Sequence, residues 1–387
     1  MTFQLLVILV LAHVALTWAR AMRRGWRARQ NQVPPPQPRP EQLPPVSVLV
    51  PAWNEKGTIE RNIAALQQVD YPRWEGIILA GGQDATHEAT LKATAGDARF
   101  RVLERGPEPK NVVLTRGIEA AKHDILVLLD ADSIVAPEWL SMLVAPLAKG
   151  ASASYGLYLP YRWTWISTEE YMQQIQYHTK QVAAFPGCAS PAIRREALER
   201  IGSLTAKAYS WEDWDVYARL ANANERIVPA PHAKLLSDRP TTLREFWANT
   251  LRAFRTHLAG LWYHRAIFIR HPFWAFYELF FLVYGAGLTL AMIAGIVTIA
   301  VRPALLPTVT TWAALLALWI FGRRAALAGE VYAYTGESKW LAWWWAPVVL
   351  LFVRILATLY SILTVWRQPR FDYKGARVLQ LEQTPSE

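Results

Sequence analysis

Residues 125–133 read ILVLLDADS, five apolar residues running into two aspartates, Asp130 and Asp132, with one alanine between them. A run of that kind reads as a buried strand, so both carboxylates are delivered to its end. Two carboxylates so placed can share one divalent cation. Mg²⁺ and Mn²⁺ take oxygen ligands and usually complete their shell with water and substrate phosphates. The pair therefore suits a metal–diphosphate site. On the motif alone an equal reading is that Asp132 or Ser133 caps the next helix.

Other residues able to do chemistry fall at regular stations along the chain. VSVLVPAWNE ends in Asn54 and Glu55, and ILAGGQDAT closes on a glycine turn with Asp84. Lys110 opens KNVVLTRGIEAA, and WEDWD carries Glu212, Asp213 and Asp215. The elements that must position them alternate. VSVLVPAW, EGIILAGG, FRVLERG and DILVLLDAD read as strands, and residues 58–69, 85–95 and 111–122 between them as helices. This alternation predicts an α/β domain over residues 46–240, with a mostly parallel sheet and helices on both faces. In such sheets ligands bind at the carboxyl ends of the strands, where LLDADS puts its aspartates.

The order, spacing and content of PAWNE, GGQDAT, the Lys110 helix, LLDADS, GCASPAIRREAL and WEDWDVYARL resemble the family 2 glycosyltransferases with the GT-A fold, over about residues 46–258. The accompanying apolar segments resemble the membrane-integral, glycolipid-forming members, of the ceramide glucosyltransferase kind. The resemblance implies that Glu55 and Asp84 line a nucleotide pocket and that Lys110 lies near the sugar or nucleotide. It implies Asp130 and Asp132 as the Mg²⁺ or Mn²⁺ and diphosphate motif, and Asp213 as the general base. These roles make physical sense. Inverting transfer needs a carboxylate to take the proton of the attacking hydroxyl, and a cation to absorb charge on the departing nucleoside diphosphate.

Two departures narrow the expectation. The family commonly has two adjacent aspartates before the glycine turn, and the second falls here on Ala80. Its Gln-x-x-Arg-Trp pattern is matched by FWANTLRAFRTHL, where Asn249 stands for Gln, Arg252 for Arg and Ala253 for Trp. Arg252 and Arg255 could pair with the diphosphate or form a basic face against lipid headgroups. The altered pattern favours one sugar, expected from a UDP-linked donor, added to a membrane lipid. A processive polysaccharide synthase is the alternative. A catalytically inactive scaffold or lipid-binding protein is a third, against which intact Asp130, Asp132 and Asp213 speak.

Of 387 residues, 52% are hydrophobic, with 19 Trp and a net charge of +10. That charge suits nucleic acid, an anionic membrane surface or an anionic substrate, and the apolar segments select the membrane over nucleic acid. Residues 1–19 are almost wholly apolar and precede Arg20, Arg23, Arg24, Arg27 and Arg29, the reverse of a cleaved signal peptide. They read as an anchor with the following domain cytoplasmic, in a multi-pass cell-membrane protein. Residues 20–45 form a basic linker, with seven prolines among 34–45.

Residues 241–271 read as amphipathic interfacial helices. About three spans are expected over 272–366, in Phe273–Ala300, Ala304–Phe321 and Leu341–Trp366. Four spans in all would put the tail 367–387 outside. Yet it opens with Arg367, Arg370, Lys374 and Arg377, which predicts that one segment is re-entrant or interfacial. The single cysteine, Cys188, excludes a disulfide framework within the chain. His178, His232, His257 and His264 read as structural.

Overall fold

The computed structural model describes residues 2–31, 43–180, 189–204, 212–263, 287, 290–291 and 294–364. Cys188, His264, most of the proline-rich linker, most of Phe273–Ala300 and the basic tail lie outside them.

The strands are β1 (Val46–Trp53), β2 (Trp74–Gly81), β3 (Phe100–Glu104), β4 (Ile125–Leu128), β5 (Ile134–Val135), β6 (Ala153–Pro160), β7 (Ala189–Arg194) and β8 (Ile227–Ser237). They form one sheet in the order β3-β2-β1-β4-β7-β6-β8-β5. The β3-β2-β1-β4 half is wholly parallel, as the alternation of strands and helices predicts. β7 then pairs antiparallel to both β4 and β6, and β8 runs parallel to β6. Helices α2 (Lys56–Gln67), α3 (Thr86–Thr94) and α4 (Lys110–Ala120) make the crossovers of the parallel half.

β1 is apolar in succession because both its faces are covered. Val46, Val48 and Val50 pack with Ile59, Ile63 and Ile78, while Leu49 packs on the other face with Leu79, Val113 and Leu114. β1 and β2 are in register from Val46↔Trp74 to Trp53↔Gly81. The Leu129 N–H still reaches the Leu49 carbonyl at 3.0 Å. The parallel strands therefore end together, and the chemistry-bearing turns leave from one edge.

Further helices are α5 (Trp139–Ala148), α6 (Trp165–Lys180), α7 (Arg195–Arg200), α8 (Glu212–Asn222) and α9 (Leu243–Tyr263). The apolar set is α1 (Thr2–Gln30), α10 (Leu306–Thr335) and α11 (Ala346–Leu363). Two helical stretches, Gln4–Gln30 and Pro303–Thr335, are long and apolar enough to cross a membrane.

α1 and α10 lie side by side. Trp18 Nε1 donates to the Gly322 carbonyl at 2.9 Å, and Arg24 pairs with buried Glu330 at 2.7 Å. Glycine permits this approach. A Cβ on Gly322 would lie 2.5 Å from Val14, and one on Gly329 2.6 Å from Trp18. The first half of α10 exposes Leu306, Trp312 and Leu318, while Leu327, Ala328 and Val331 pack on Met172 and Ile175 of α6. One helix thus joins an apolar exposed segment to the α/β domain.

Candidate active site

The Asp130–Asp132 turn is built from its backbone outward. The Ser133 N–H closes it on the Asp130 carbonyl at 3.1 Å. Asn62, buried in α2, donates through Nδ2 to the carbonyls of Asp130 (3.2 Å) and Ser133 (2.7 Å). From the opposite side the Tyr161 hydroxyl donates to the Asp132 carbonyl at 2.6 Å. Burial first, and then the charge of Asp132, push the Tyr161 hydroxyl up to about 12, so it stays a donor at neutral pH. With the main chain held from two sides, the side chains of Asp130 and Asp132 are left half-exposed.

Cations surround the pair. Lys110, the first residue of α4, places Nζ 2.7 Å from Asp130 Oδ1. Arg239, just past β8, stacks 3.9 Å over the Tyr158 ring and lies 4.0 Å from Glu170 Oε2. Burial opposes the Arg239 charge, but Glu170, Tyr158, Asp132 and Asp130 together outweigh it and hold its pKa above the ordinary value. Burial likewise pushes the Glu170 carboxyl up, against Arg239 and Arg354.

At the next strand ends Asn54, with φ of 55°, accepts the Gln83 N–H through Oδ1 at 2.8 Å. A Cβ on Gly82, whose φ is 129°, would lie 2.4 Å from that oxygen, so this turn needs glycine. Asp84 accepts the Lys56 N–H (3.0 Å) on one oxygen and the Thr86 N–H (3.1 Å) and hydroxyl on the other. Burial alone would raise its pKa, and these hydrogen bonds outweigh it and lower it. Glu55 accepts the Thr58 hydroxyl at 2.7 Å, while its N–H donates to Thr86 Oγ1 at 2.7 Å. Both carboxylates thus fasten the β1 and β2 turns to the helices that follow. Ala80, where the family commonly carries an aspartate, is wholly buried in β2.

The remaining expected residues are less closely gathered. Asp213 is the second residue of α8, and its side chain lies outside the described residues. Its neighbour Asp215 is 1% exposed and paired with Arg219, a structural role. Arg252 is exposed on α9 and donates to Asn249 Oδ1 at 3.0 Å. Asn249 in turn reaches Glu170 at 3.4 Å, so this stretch meets the site through the partner of Arg239. His178 is buried, with Nε2 3.1 Å from the Gly156 carbonyl, and desolvation lowers its pKa to about 4. The side chain of His257 lies outside the described residues.

Asn62, Tyr161 and Arg239 were not among the expected site residues. Asn62 had a signal, since it sits among Ile59, Ile63 and Leu66 on the buried face of a helix, where a polar side chain must find partners. Arg239 had none, since β8 brings it to the site from over a hundred residues away.

Among the described residues no group of three or more His, Cys, Asp or Glu gathers as a closed metal cage. The donor set fits an open site instead. Mg²⁺ and Mn²⁺ are held by one or two carboxylates, with water and substrate phosphates completing the shell.

Residues 47–202 match the model of the glycosyl transferase family 2. They form a family 2 glycosyltransferase domain. The chain is similar in fold to the mannosyltransferase PcManGT from Pyrobaculum calidifontis, at a TM-score of 0.61 and 21% identity, over 92% of this chain and 99% of that one. The α/β sheet that carries the family 2 match therefore has the GT-A fold expected of it. "Probable glycosyltransferase YdaM" of Bacillus subtilis is 25% identical over 65% of this chain and 64% of its own length. Undecaprenyl-phosphate 4-deoxy-4-formamido-L-arabinose transferase of Pectobacterium carotovorum is 31% identical over 27% of this chain and 34% of its own length. The chain thus spans less than two thirds of the length of these curated relatives.

Proposed function

We propose that this chain is a membrane-bound inverting glycosyltransferase that moves a sugar from a nucleotide sugar to the hydroxyl of a lipid acceptor. The observation that carries the reading is the Asp130–Asp132 turn. Two half-exposed carboxylates leave the end of a parallel strand on a fixed backbone, with Lys110 and Arg239 beside them. A diphosphate needs such a mixture of carboxylate-held cation and fixed positive charge.

Asp130 and Asp132 hold a divalent metal, which when bound neutralises charge on the diphosphate. PcManGT is a complex with GDP-Man and Mn²⁺, which supports a metal of this class. Lys110 and Arg239 contribute charge to the phosphate oxygens, with Arg252 behind them. Glu55 and Asp84 set the turns that wall the nucleotide. Asp213 takes the proton of the attacking hydroxyl. α1 and α10 place the domain against the bilayer, from which the acceptor is drawn. One relative is named as an undecaprenyl-phosphate 4-deoxy-4-formamido-L-arabinose transferase, which supports a lipid acceptor over a growing polysaccharide. The domain faces the cytoplasm, an orientation that the arginines after residue 19 support.

The test uses the full chain in liposomes containing extracted membrane lipids. Labelled UDP- and GDP-sugars are supplied in turn, and the lipids are then extracted. One sugar is expected to label a lipid, with loss of label in chelator, recovery with Mg²⁺ or Mn²⁺, and loss in Asp132→Ala. Label confined to a long polymer would replace this reading with the synthase. No transfer or donor hydrolysis from any nucleotide sugar would leave the inactive scaffold.

A further inference from the structure

α11 is 18 residues long, about 27 Å at 1.5 Å per residue, and could be taken for another membrane span. Its two faces say otherwise. Val349, Phe352, Leu356, Tyr360 and Leu363 are 41%, 44%, 58%, 47% and 66% exposed and recur every three or four residues, forming one stripe. The opposite face is buried along its length, at Leu350, Ala357, Thr358 and Ser361, and the family 2 domain and α9 meet it. Leu350 packs with Ile166 and Phe246. Arg354 donates to Glu169 at 2.8 Å and lies 4.8 Å over the Phe246 ring. Nearly two turns further on, even Tyr360, at the edge of the exposed stripe, keeps its ring 6.1 Å from Trp247 of α9. A helix heading across a bilayer would leave a domain on the bilayer surface after a turn or two.

Its starting level is also fixed. Arg324, at the charged end of the apolar stretch of α10, donates to the Pro347 carbonyl at 3.1 Å and to Glu169 at 2.7 Å. Arg324 and Arg354 therefore clamp one buried carboxylate of α6 between them. That carboxylate belongs to the water-facing domain. Carrying it and Arg354 into hydrocarbon would be costly, whereas at the headgroup level both charges remain paired.

We propose that α11 lies in the plane of the membrane surface, its Val349–Leu363 stripe seated on the lipid and its Arg354 face on the family 2 domain, so that the chain leaves it on the catalytic side. The occupant of the stripe is a bilayer because the stripe continues the exposed apolar surface of α10, which α11 joins through Ile320, Leu351 and Ile355. The sequence beyond agrees. Arg367, Arg370, Lys374 and Arg377 then fall on the same side as Arg20–Arg29, which satisfies the positive-inside rule that a further crossing would break. The inference does not depend on which sugar or acceptor is used. A helix in the plane would hold the Glu169–Glu170 end of α6, and Arg239 beside it, at a set depth beneath the bilayer.

Nitroxide depth measurement decides the matter. Single cysteines replace Val349, Phe352, Leu356, Tyr360 and Leu363 in turn, in the full chain carrying Cys188→Ser, in phosphatidylcholine–phosphatidylglycerol liposomes. Relative collision with oxygen and with a water-soluble nickel chelate gives the depth of each label. An in-plane helix gives five depths within about 5 Å, one helical turn. A spanning helix gives a steady gradient of about 21 Å over the 14 intervening steps and overturns the proposal, as do five labels wholly open to the chelate. A second measurement leaves every side chain of α11 intact. A tag after Glu387 should be cut by protease from the same side of sealed vesicles as the family 2 domain. Protection of one with cleavage of the other overturns the proposal.

Discussion

Asn62 is a residue through which the site can be loosened without touching its carboxylates. Its Nδ2 makes two hydrogen bonds, to the carbonyls of Asp130 and Ser133, at a position 1% exposed. Asn62→Leu keeps the volume and removes both donors. Each such bond contributes about 0.5–1.5 kcal/mol net, so the change should cost about 1–3 kcal/mol of stability. The larger effect is expected at the site. Residues that orient metal ligands typically contribute 10–100-fold in affinity. With those two bonds gone, Tyr161, the Ser133–Asp130 bond and the Lys110–Asp130 pair remain, and the two carboxylates lose part of their fixed spacing.

The assay is Mn²⁺ and nucleoside diphosphate binding to the full chain in nanodiscs, alongside thermal unfolding. Asn62→Leu should weaken binding by about tenfold or more while the protein remains folded at the assay temperature. Asn62→Asp should be worse, because it sets a carboxylate against two carbonyl oxygens in a buried place. Asn62→Leu binding within twofold of wild type would show that the turn holds itself, and the positioning argument would be wrong.

Two other outcomes are expected. Asp213→Asn should bind nucleoside diphosphate as wild type does and transfer sugar about 10²–10⁴-fold more slowly, whereas Asp132→Ala should lose donor binding; more than about a tenth of wild-type turnover in Asp213→Asn would remove it as the base, leaving Glu212, since Asp215 is buried against Arg219. His178 is neutral when folded, with a pKa near 4 against an ordinary 6.5, so the unfolded chain takes up its proton first and stability falls as pH drops from about 6.5 to about 4. The loss approaches roughly 3 kcal/mol at the acid end, and His178→Gln should flatten the curve of unfolding midpoint against pH; an unchanged slope would refute the assignment.

The parallel half of the sheet is legible in the sequence because β1 and β2 are buried on both faces and end in glycine or polar turns. The helix expected over 58–69 is α2, at Lys56–Gln67, and that over 111–122 is α4, at Lys110–Ala120. β6 is harder to read. It shifts register between Ser154 and Gly156 and pairs with β7 on one side and β8 on the other, so its pattern answers to two partners. The Asp130–Asp132 pair can be read from the apolar run that carries it. The Lys110–Asp130 bond cannot, since it joins a helix start to a strand end, and only the resemblance put both in one site. Arg239 escapes local reading, because its importance comes from Tyr158 and Glu170, on β6 and α6.

The adjacent glutamates of α6 show what else a local reading passes over. Successive residues of a helix point about 100° apart, so Glu169 and Glu170 pair with different cations, although the charge of Arg354 reaches both. Glu169 is wholly buried and turns to Arg324 and Arg354 of the apolar helices. Glu170 turns to Arg239, beside the candidate diphosphate site, and to Asn249 of α9. Two carboxylates side by side in a sequence look like a solvated helix face. Here both are largely removed from water, and each needs a cation that only tertiary structure supplies. The packing of the family 2 domain on its apolar helices and the placing of Arg239 thus rest on consecutive residues of one helix. A disturbance of the Arg324–Glu169–Arg354 clamp would be felt one residue away, at the site.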